Sequence, residues 1–230
     1  TFGLALLPAN SLFDGYIKML QAVKSEGDPF NRNVQGLLDQ VETLKKRLPQ
    51  GYTLCTHSTK GCRAACLVHA GANAKTEYND EVKAVTTIAF LSQPKEFLRL
   101  LVESIRIHEK KVSQKVDAEG NPFKLAIRLN VLSDIPWELI CPWLFSMYPD
   151  VIFYDYTKVP LRDPKALGIT NYDLTFSYSG INLSVCLAEM KRGKRIAIPV
   201  IGSFTWKKEG RSEEHTSELQ SRQYLVCRLL

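Results

Sequence analysis

The sequence predicts an α/β protein, a partial βα barrel related to the TIM barrel, with a helical N-terminal region. Four runs rich in β-branched or aromatic residues predict strands at 123–134, 150–158, 172–180 and 195–203. Helix-compatible segments separate the first two and the last two of these runs, at 135–147 and 181–192. Strands that alternate with helices indicate a parallel sheet whose crossovers are right-handed.

Polar residues recur on one face of three predicted strands. Side-chain alternation places the following polar residues on one face of each strand. They are Arg128, Asn130 and Asp134 in the first strand, Asp155 and Thr157 in the second, and Asp173, Thr175, Ser177 and Ser179 in the third. An edge strand with one solvated face would explain one such row but not three. Because barrels bind ligands at the carboxyl ends of their strands, we predict a pocket there. Its cofactor-binding residues would be Arg128, Asn130, Ser133, Asp134, Asp155, Lys158 and Ser177. Asp134 has an alternative role as the N-cap of the following helix.

Residues 1–50 are predicted to form the helical N-terminal segment. Asn33–Leu48 repeats apolar residues every three or four positions, and Pro49-Gln50-Gly51 ends that helix. Segment 12–24 is a second helix candidate.

The βα domain is predicted to span residues 51–210. Between its cysteine-rich start and its first strand, two helices are expected at Tyr78–Leu91 and Pro94–Ser113. Ser92 is the expected N-cap of the second helix, since a proline often occupies the first turn that follows such a cap.

The last twenty residues, Arg211–Leu230, are predicted to be a non-native tail with no stable place in the fold. They resemble the conceptual translation of a sequencing-library adapter, with Arg222–Tyr224 at the position of the sample index. On this interpretation His215 and Cys227 carry no function, and the native chain is cut off near Gly210. The tail holds three arginines, three glutamates and one cysteine, so without it the net charge stays +6 and five cysteines remain. An odd number argues against a disulfide framework.

The composition is that of an ordinary globular protein, with 45% hydrophobic and 23% charged residues. No run of eighteen or more apolar residues is present, so the sequence predicts no membrane span and no membrane partner. A net charge of +6 permits a nucleic-acid partner, but the basic residues are dispersed, which favours a solvated surface. The expected location is the cytoplasm.

Three of the six cysteines, Cys55, Cys62 and Cys66, lie within twelve residues. Gly61 would let this loop bend sharply, so that three sulfurs could point toward one position. A helix that begins at Arg63 would place Cys62 and Cys66 on one face. We therefore predict that the three cysteines are metal ligands.

The kind of metal centre stays open at this point. Three thiolates suit an iron–sulfur cluster with one open iron, and zinc with a fourth ligand such as His57 or His69 is the alternative. Three thiols without a metal are the remaining interpretation. Cys141 and Cys186 lie inside predicted helices and are expected to be small core residues.

Four segments in this order resemble the phage-associated gene product 88 family: CTHSTKGCRAACLVHAG, IRLNVLSDIPWE, FYDYTKVP and YDLTFSYSG. The resemblance extends from Tyr52 to Ile201 and implies a phage-encoded protein in the cytoplasm of the host cell. A cysteine loop followed by βα units is also similar to the layout of radical SAM enzymes. In those enzymes three cysteines hold a four-iron cluster, and S-adenosylmethionine occupies the open iron. The resemblance therefore implies a 4Fe–4S cluster and S-adenosylmethionine as cofactors.

The spacing here is Cys-x6-Cys-x3-Cys, whereas radical SAM enzymes usually show Cys-x3-Cys-x2-Cys, and no Gly-Gly-Glu segment is present. These differences favour cluster binding over radical chemistry. Two functions remain as expectations. One is an iron–sulfur, radical SAM-like enzyme that acts on a small-molecule or macromolecular substrate. The other is a zinc- or cluster-stabilised protein that binds nucleic acid without catalysis.

Overall fold

The computed structural model describes residues 2–7, 11–26, 33–49, 52–64, 66, 77–200 and 223–227. The described helices are α1 (Ser11–Glu26), α2 (Val34–Arg47), α3 (Lys60–Ala64), α4 (Glu77–Ser92), α5 (Pro94–Ser113), α6 (Trp137–Ile140), α7 (Trp143–Met147), α8 (Leu183–Lys191) and the 3-10 helix Pro164–Leu167. The described strands are β1 (Phe2–Gly3), β2 (Ala126–Arg128), β3 (Ile152–Thr157), β4 (Tyr172–Ser177), β5 (Ile196–Val200) and β6 (Gln223–Cys227). None of these helices has the length and apolar character that a membrane crossing requires.

The strands form one sheet in the order β1-β2-β3-β4-β5-β6. The first five strands run parallel, and β6 pairs antiparallel with β5. The predicted α/β class and the parallel sheet are thereby confirmed. The sheet is not closed, however, and a barrel is not shown. A closed βα barrel of the TIM type has eight parallel strands, and the described residues contain five.

One side of the sheet, the first face, is packed by α5 to α8. Residues in register on parallel strands point to the same side, and Ile127, Phe153 and Tyr172 are in register. These three belong to one buried cluster, which also contains, from α5 to α7, Phe97, Leu101, Ile105, Trp137 and Phe145. Cys186 of α8 extends the packing by its contact with Phe176.

The opposite side of the sheet, the second face, carries mostly polar and aromatic residues. In β2, β3 and β4 these residues are Arg128, Tyr154, Tyr156, Asp173, Thr175 and Ser177. Beyond β1, Leu4 and Leu6 join the first-face cluster, whereas Ala5 and Leu7 pack with α1, α2 and α4. Helices α1, α2 and α4 therefore pack at the β1 end of the sheet and against Val131 and Leu132, which follow β2.

Helix α5 begins and ends as predicted. Phe97, Leu101 and Ile105 form a stripe on this helix that is buried against the first face. Ser92 is not its N-cap, contrary to the prediction. The Ser92 hydroxyl instead donates to the Ile88 carbonyl oxygen (2.6 Å), because Ser92 belongs to the last turn of α4.

Two predicted elements are shorter than the sequence pattern indicates. The helix predicted at 135–147 is divided into α6 and α7, because Pro142 lacks the N–H that would continue the first helix. The strand predicted at 123–134 shortens to β2. After Arg128 the Asn130 backbone N–H donates to the Asp155 carboxylate (2.8 Å) and not to a neighbouring strand.

Strand β6 lies inside the predicted non-native tail. It pairs with β5 so that Ile196 is opposite Cys227 and Val200 is opposite Gln223. Part of the tail therefore has a place on the sheet, contrary to the expectation. The physical reason is that an open strand edge accepts segments of high β propensity, and Tyr224, Leu225 and Val226 form one. The non-native origin of the tail stays a prediction.

Candidate metal centre and binding site at the carboxyl edge of the sheet

The cysteine loop, residues 52–64 and 66, lies across the carboxyl edge of the sheet. The Leu54 carbonyl oxygen accepts a hydrogen bond from the Asp134 backbone N–H (2.8 Å) in the β2–α6 connection. The Thr59 hydroxyl donates to the Ser179 carbonyl oxygen (3.3 Å) just beyond β4. Both anchor points follow the carboxyl ends of parallel strands, the edge at which open α/β sheets bind ligands.

Helix α3 changes the predicted arrangement of the cysteines. The sequence predicts a bend at Gly61 and a helix from Arg63, whereas both residues lie inside α3. The helix begins after Thr59, whose hydroxyl accepts a hydrogen bond from the Cys62 backbone N–H (3.2 Å). Cys66 lies beyond the end of α3, so Cys62 and Cys66 do not share a helical face.

The three loop cysteines are free and half-buried. Burial raises the pKa of the Cys55 thiol to about 11. Asp134 raises this pKa as well, Lys158 lowers it, and Cys62 and Cys66 each raise it. Cys62 and Cys66 therefore each lie near enough to Cys55 to act on it, and Cys66 also packs against the apolar cluster of α1, α2 and α4.

The loop offers donors for a soft metal but does not hold them as a finished ligand set. Thiolates are the ligands that iron–sulfur clusters require and that zinc takes readily. In the part of the chain that the structure describes, no three His, Cys, Asp or Glu side chains are placed to hold a metal ion together. His57 Nδ1 is 3.1 Å from the Thr56 hydroxyl, and His69 lies outside the described residues. The donor chemistry therefore fits, and the thiols would have to turn toward a common position.

The other two cysteines outside the tail are buried, as predicted. Cys141 lies in the first-face cluster, where burial raises the pKa of its thiol to about 12. Cys186 packs between Phe176 and Ile196, and burial raises its pKa too. Neither thiol is among the groups that act on the pKa of Cys55.

Asn130 is the centre of a buried hydrogen-bond network in the β2–α6 connection. Its side-chain oxygen accepts from the Ser133 hydroxyl (2.9 Å), the Ile135 backbone N–H (3.0 Å) and the Trp137 indole (3.1 Å). Its amide group donates to the Ile135 carbonyl oxygen (2.9 Å) and to the Asp155 carboxylate (3.3 Å). Asn130 is only 1% exposed, so these bonds form without competition from solvent.

The second centre of this network is Arg162, a residue that the sequence analysis missed. Its buried guanidinium forms a bidentate pair with Glu138 (2.7 and 2.6 Å) and donates to Asp134 (2.8 Å) and Thr157 (3.2 Å). Burial by itself would lower the pKa of Arg162, but the hydrogen bond to Glu138 and the negative charges of Glu138 and Asp134 raise it overall. Asp134 and Glu138, which lie on either side of the apolar Trp137 in the sequence, were the available signal for a buried cation. Two buried carboxylates need such a cation as a partner.

Asp134 is not the N-cap of α6, contrary to the alternative role considered for it. The N-cap position of α6 is Pro136. The Asp134 carboxylate accepts from the Lys158 backbone N–H (2.7 Å) with one oxygen and from Arg162 (2.8 Å) with the other. It thus joins the end of β3 to the β2–α6 connection, and its charge acts on Cys55.

Asp155 of β3 accepts the hydrogen bond that a neighbouring strand would otherwise accept just after the end of β2. One carboxylate oxygen accepts from the Asn130 backbone N–H (2.8 Å), and the other accepts from the Tyr172 hydroxyl (2.8 Å). The Nε atom of Arg128 is 3.9 Å away. Burial raises the pKa of Asp155 to about 7, although the hydrogen bonds from Asn130 and Tyr172 and the charges of Arg128 and Arg162 lower it.

This raised pKa predicts a pH dependence of stability. Between the ordinary value of 3.8 and about 7 the folded protein binds more protons at Asp155 than the unfolded chain does. The contribution of Asp155 to the free energy of unfolding therefore falls as pH rises through this window, by at most about 1.4 kcal/mol per pH unit. Urea unfolding from pH 4 to pH 8 should show that Asp155→Asn removes this fall.

A matched control for this prediction is Asp117→Asn. The Asp117 carboxylate is exposed, and the hydrogen bond from the Asn121 backbone N–H lowers its pKa. The stabilising contribution of Asp117 is therefore lost as pH falls, whereas the contribution of Asp155 is lost as pH rises. Equal slopes for the wild type and Asp155→Asn would contradict the assignment to Asp155.

The structure separates the seven predicted pocket residues into three groups. Four of them belong to the buried network: Asn130, Ser133, Asp134 and Asp155. Lys158 lies beside Cys55, and Arg128 and Ser177 lie on the second face. The prediction that Asp155 shares a face with Arg128 is wrong, because Asp155 is in register with Leu174 of the first-face cluster. Alternation sets the faces within one strand, but strand pairing sets how the faces of two strands correspond.

A family model described as Gene product 88 matches residues 16–211. The match includes the cysteine loop, the buried network and strands β2 to β5. No curated protein and no solved structure matches the chain.

Proposed function

This chain belongs to the gene product 88 family, and we propose that it binds one metal centre through Cys55, Cys62 and Cys66. The observation that carries this proposal is that three free, half-buried thiols lie on one loop at the carboxyl edge of the sheet, where Cys62 and Cys66 both raise the pKa of Cys55. Disulfide pairing would leave one of the three thiols over. A shared metal gives all three a common role.

The expected centre is an iron–sulfur cluster of the 4Fe–4S type, with zinc as the alternative. Three protein thiolates would leave one metal position for a further ligand. Such a centre supplies electron transfer or Lewis-acid chemistry when it is bound. With its pKa near 11, Cys55 must lose a proton to bind metal, so metal affinity is expected to fall as pH falls. The Lys158 ammonium lowers this pKa and would stabilise the thiolate form.

A radical reaction with S-adenosylmethionine is a narrower form of the same proposal. The open sheet and the Cys-x6-Cys-x3-Cys spacing give it no support. The alternative from another class is a metal-stabilised protein that binds nucleic acid through its basic surface, and salt-dependent binding to a duplex would favour it. Both the radical enzyme and the nucleic-acid-binding protein would bind a metal, so the proposal is limited to metal binding and assigns no reaction.

The cysteine substitutions predict a loss of metal. Protein purified without oxygen should contain about one metal centre per chain. It should be brown and contain iron and sulfide if the centre is a cluster, or colourless and contain zinc if it is not. Replacing any one of Cys55, Cys62 or Cys66 with Ala should remove the colour and lower the bound metal to background, because three thiolates share the centre. Metal and sulfide analysis together with the visible absorption spectrum would measure this.

Cys141→Ala and Cys186→Ala are the matched controls, since both thiols are buried in apolar clusters and neither acts on the pKa of Cys55. Both variants should keep the metal content of the wild type. Wild-type protein without stoichiometric metal after cluster reconstitution and zinc addition would contradict the proposal. So would a metal content that survives each loop substitution.

A further inference from the structure

Arg128, the last residue of β2, has a guanidinium group whose hydrogen-bonding capacity is unused by the described residues. Its Nε atom is buried and has no hydrogen-bond partner among them. Neither terminal nitrogen of the guanidinium donates a hydrogen bond to a described residue, and the ion pair with Asp155 is at 3.9 Å. A guanidinium carries five N–H donors, and a buried donor without an acceptor is costly, so this position is arranged for an acceptor from elsewhere.

Asp155 does not supply this acceptor. Its Oδ1 atom is 3.9 Å from the Arg128 Nε, which is an ion-pair distance but too long for a hydrogen bond. Both carboxylate oxygens are already occupied by Asn130 and Tyr172. The charge of Asp155 therefore holds Arg128 in place, while the N–H groups of the guanidinium stay available.

The surroundings of Arg128 on the second face are suited to a small anion. The Tyr156 ring lies under the guanidinium, with 5.0 Å between the Arg128 Cζ and the ring centroid, which fixes the plane of the group. Thr175 is in register with Tyr156, and Ser177 follows it on the same side of β4. On the other side Gly3 is in register with Arg128, and the Val131 side chain fills the space beside Gly3, since its Cγ2 lies 2.9 Å from where a Cβ would be.

From this geometry we infer that Arg128 is the anchor of an oxyanion-binding site on the second face. Its ligand would carry a phosphate or a carboxylate group, which a guanidinium binds through two parallel hydrogen bonds. On β4, Thr175 and Ser177 carry hydroxyl groups on the same face, and these could add hydrogen bonds to the ligand. Asp173, the acidic residue that β4 places on this face, is paired with Arg195 and so does not take up the N–H groups of Arg128.

The oxyanion site does not depend on the proposed metal. It uses no cysteine, and it can be measured in protein whose metal content is known. Loss of metal in the cysteine variants with unchanged anion binding would separate the two sites. A negative result for the metal centre would then not contradict the oxyanion site, and a negative result for the oxyanion site would not contradict the metal centre.

Titration calorimetry with inorganic phosphate and with acetate, at constant ionic strength, tests this site. We expect saturable binding of at least one of the two probes to the wild-type protein. Arg128→Met should weaken that binding about tenfold or more, because a bidentate charge-assisted pair is lost. Arg128→Lys keeps the charge without the planar fork and should show an intermediate affinity, which provides a result even if the Met variant does not fold.

Arg195→Met is the matched control, because its guanidinium is already paired with Asp173 on the same sheet. It should bind both probes as the wild type does. Preference for phosphate or for acetate identifies the ligand group. Absence of binding by the wild type, or equal weakening by the Arg128 and Arg195 substitutions, would overturn the inference.

Discussion

Replacing Arg162 with Met should lower the free energy of unfolding by about 3–5 kcal/mol. The substitution keeps most of the side-chain volume but leaves two carboxylates in the interior without their cation. The side chains of Asp134 and Glu138 are only 4% and 2% exposed, so water cannot replace the guanidinium. Urea unfolding with linear extrapolation to zero denaturant would measure the change.

Arg99→Met provides a control with nearly the same contact geometry and a different environment. Arg99 also forms a bidentate pair with a glutamate, Glu96, and its shortest distance is 2.6 Å as in the Arg162 pair. Both side chains of this control pair are at least half exposed, so its removal should leave stability nearly unchanged. Similar losses for the two variants would show that burial does not set the cost. Glu138→Gln, which removes one charge at constant shape, gives a second measurement if Arg162→Met fails to fold.

A second large effect is expected for Asn130→Ala, with a loss of about 3 kcal/mol or more in the free energy of unfolding. The substitution removes the oxygen that accepts hydrogen bonds from three buried donors, on Ser133, Ile135 and Trp137. It also removes the amide that donates to Asp155. Each buried group left unpaired keeps its desolvation cost, and several arise at once.

Asn121→Ala is the corresponding control for this variant. The Asn121 amide donates to the Asp117 carboxylate in an exposed turn, where water can take over the contact. Its replacement should change stability by less than about 0.5 kcal/mol. A loss below about 1 kcal/mol for Asn130→Ala, measured by the same urea unfolding, would mean that the network can rearrange around the missing amide.

The buried network bears on the candidate metal centre because it holds the edge on which the cysteine loop rests. Arg162 fixes the Asp134 carboxylate, and the Asp134 backbone N–H anchors Leu54 beside Cys55. Polar groups that are fully paired in the interior make a rigid support. A rigid edge lowers the entropy cost of ordering the thiols around a metal.

Local pattern was sufficient for the α/β class with a parallel sheet, for the order of the main elements and for the family, but not for the predicted barrel. The apolar stripe of α5 predicted both ends of that helix, and alternation located β3 and β4 to within a few residues. The same holds for Cys141 and Cys186, whose apolar neighbours in sequence are also their neighbours in the core. Helical and extended periodicity are properties of adjacent residues, so a single sequence carries them.

Only the tertiary structure decided which polar residues meet. The contacts of Arg162 with Glu138 and Asp134 join residues 24 and 28 positions apart. The acids around Trp137 indicate a buried cation, but the sequence does not show that Arg162 supplies it. Strand register likewise placed Asp155 on the first face and Arg128 on the second. Pairing between strands is chosen by the packing of the whole sheet, because a one-residue slip exchanges its two faces. The two arginines that organise this edge, one buried with its acids and one with free donors, are therefore visible only in the folded protein.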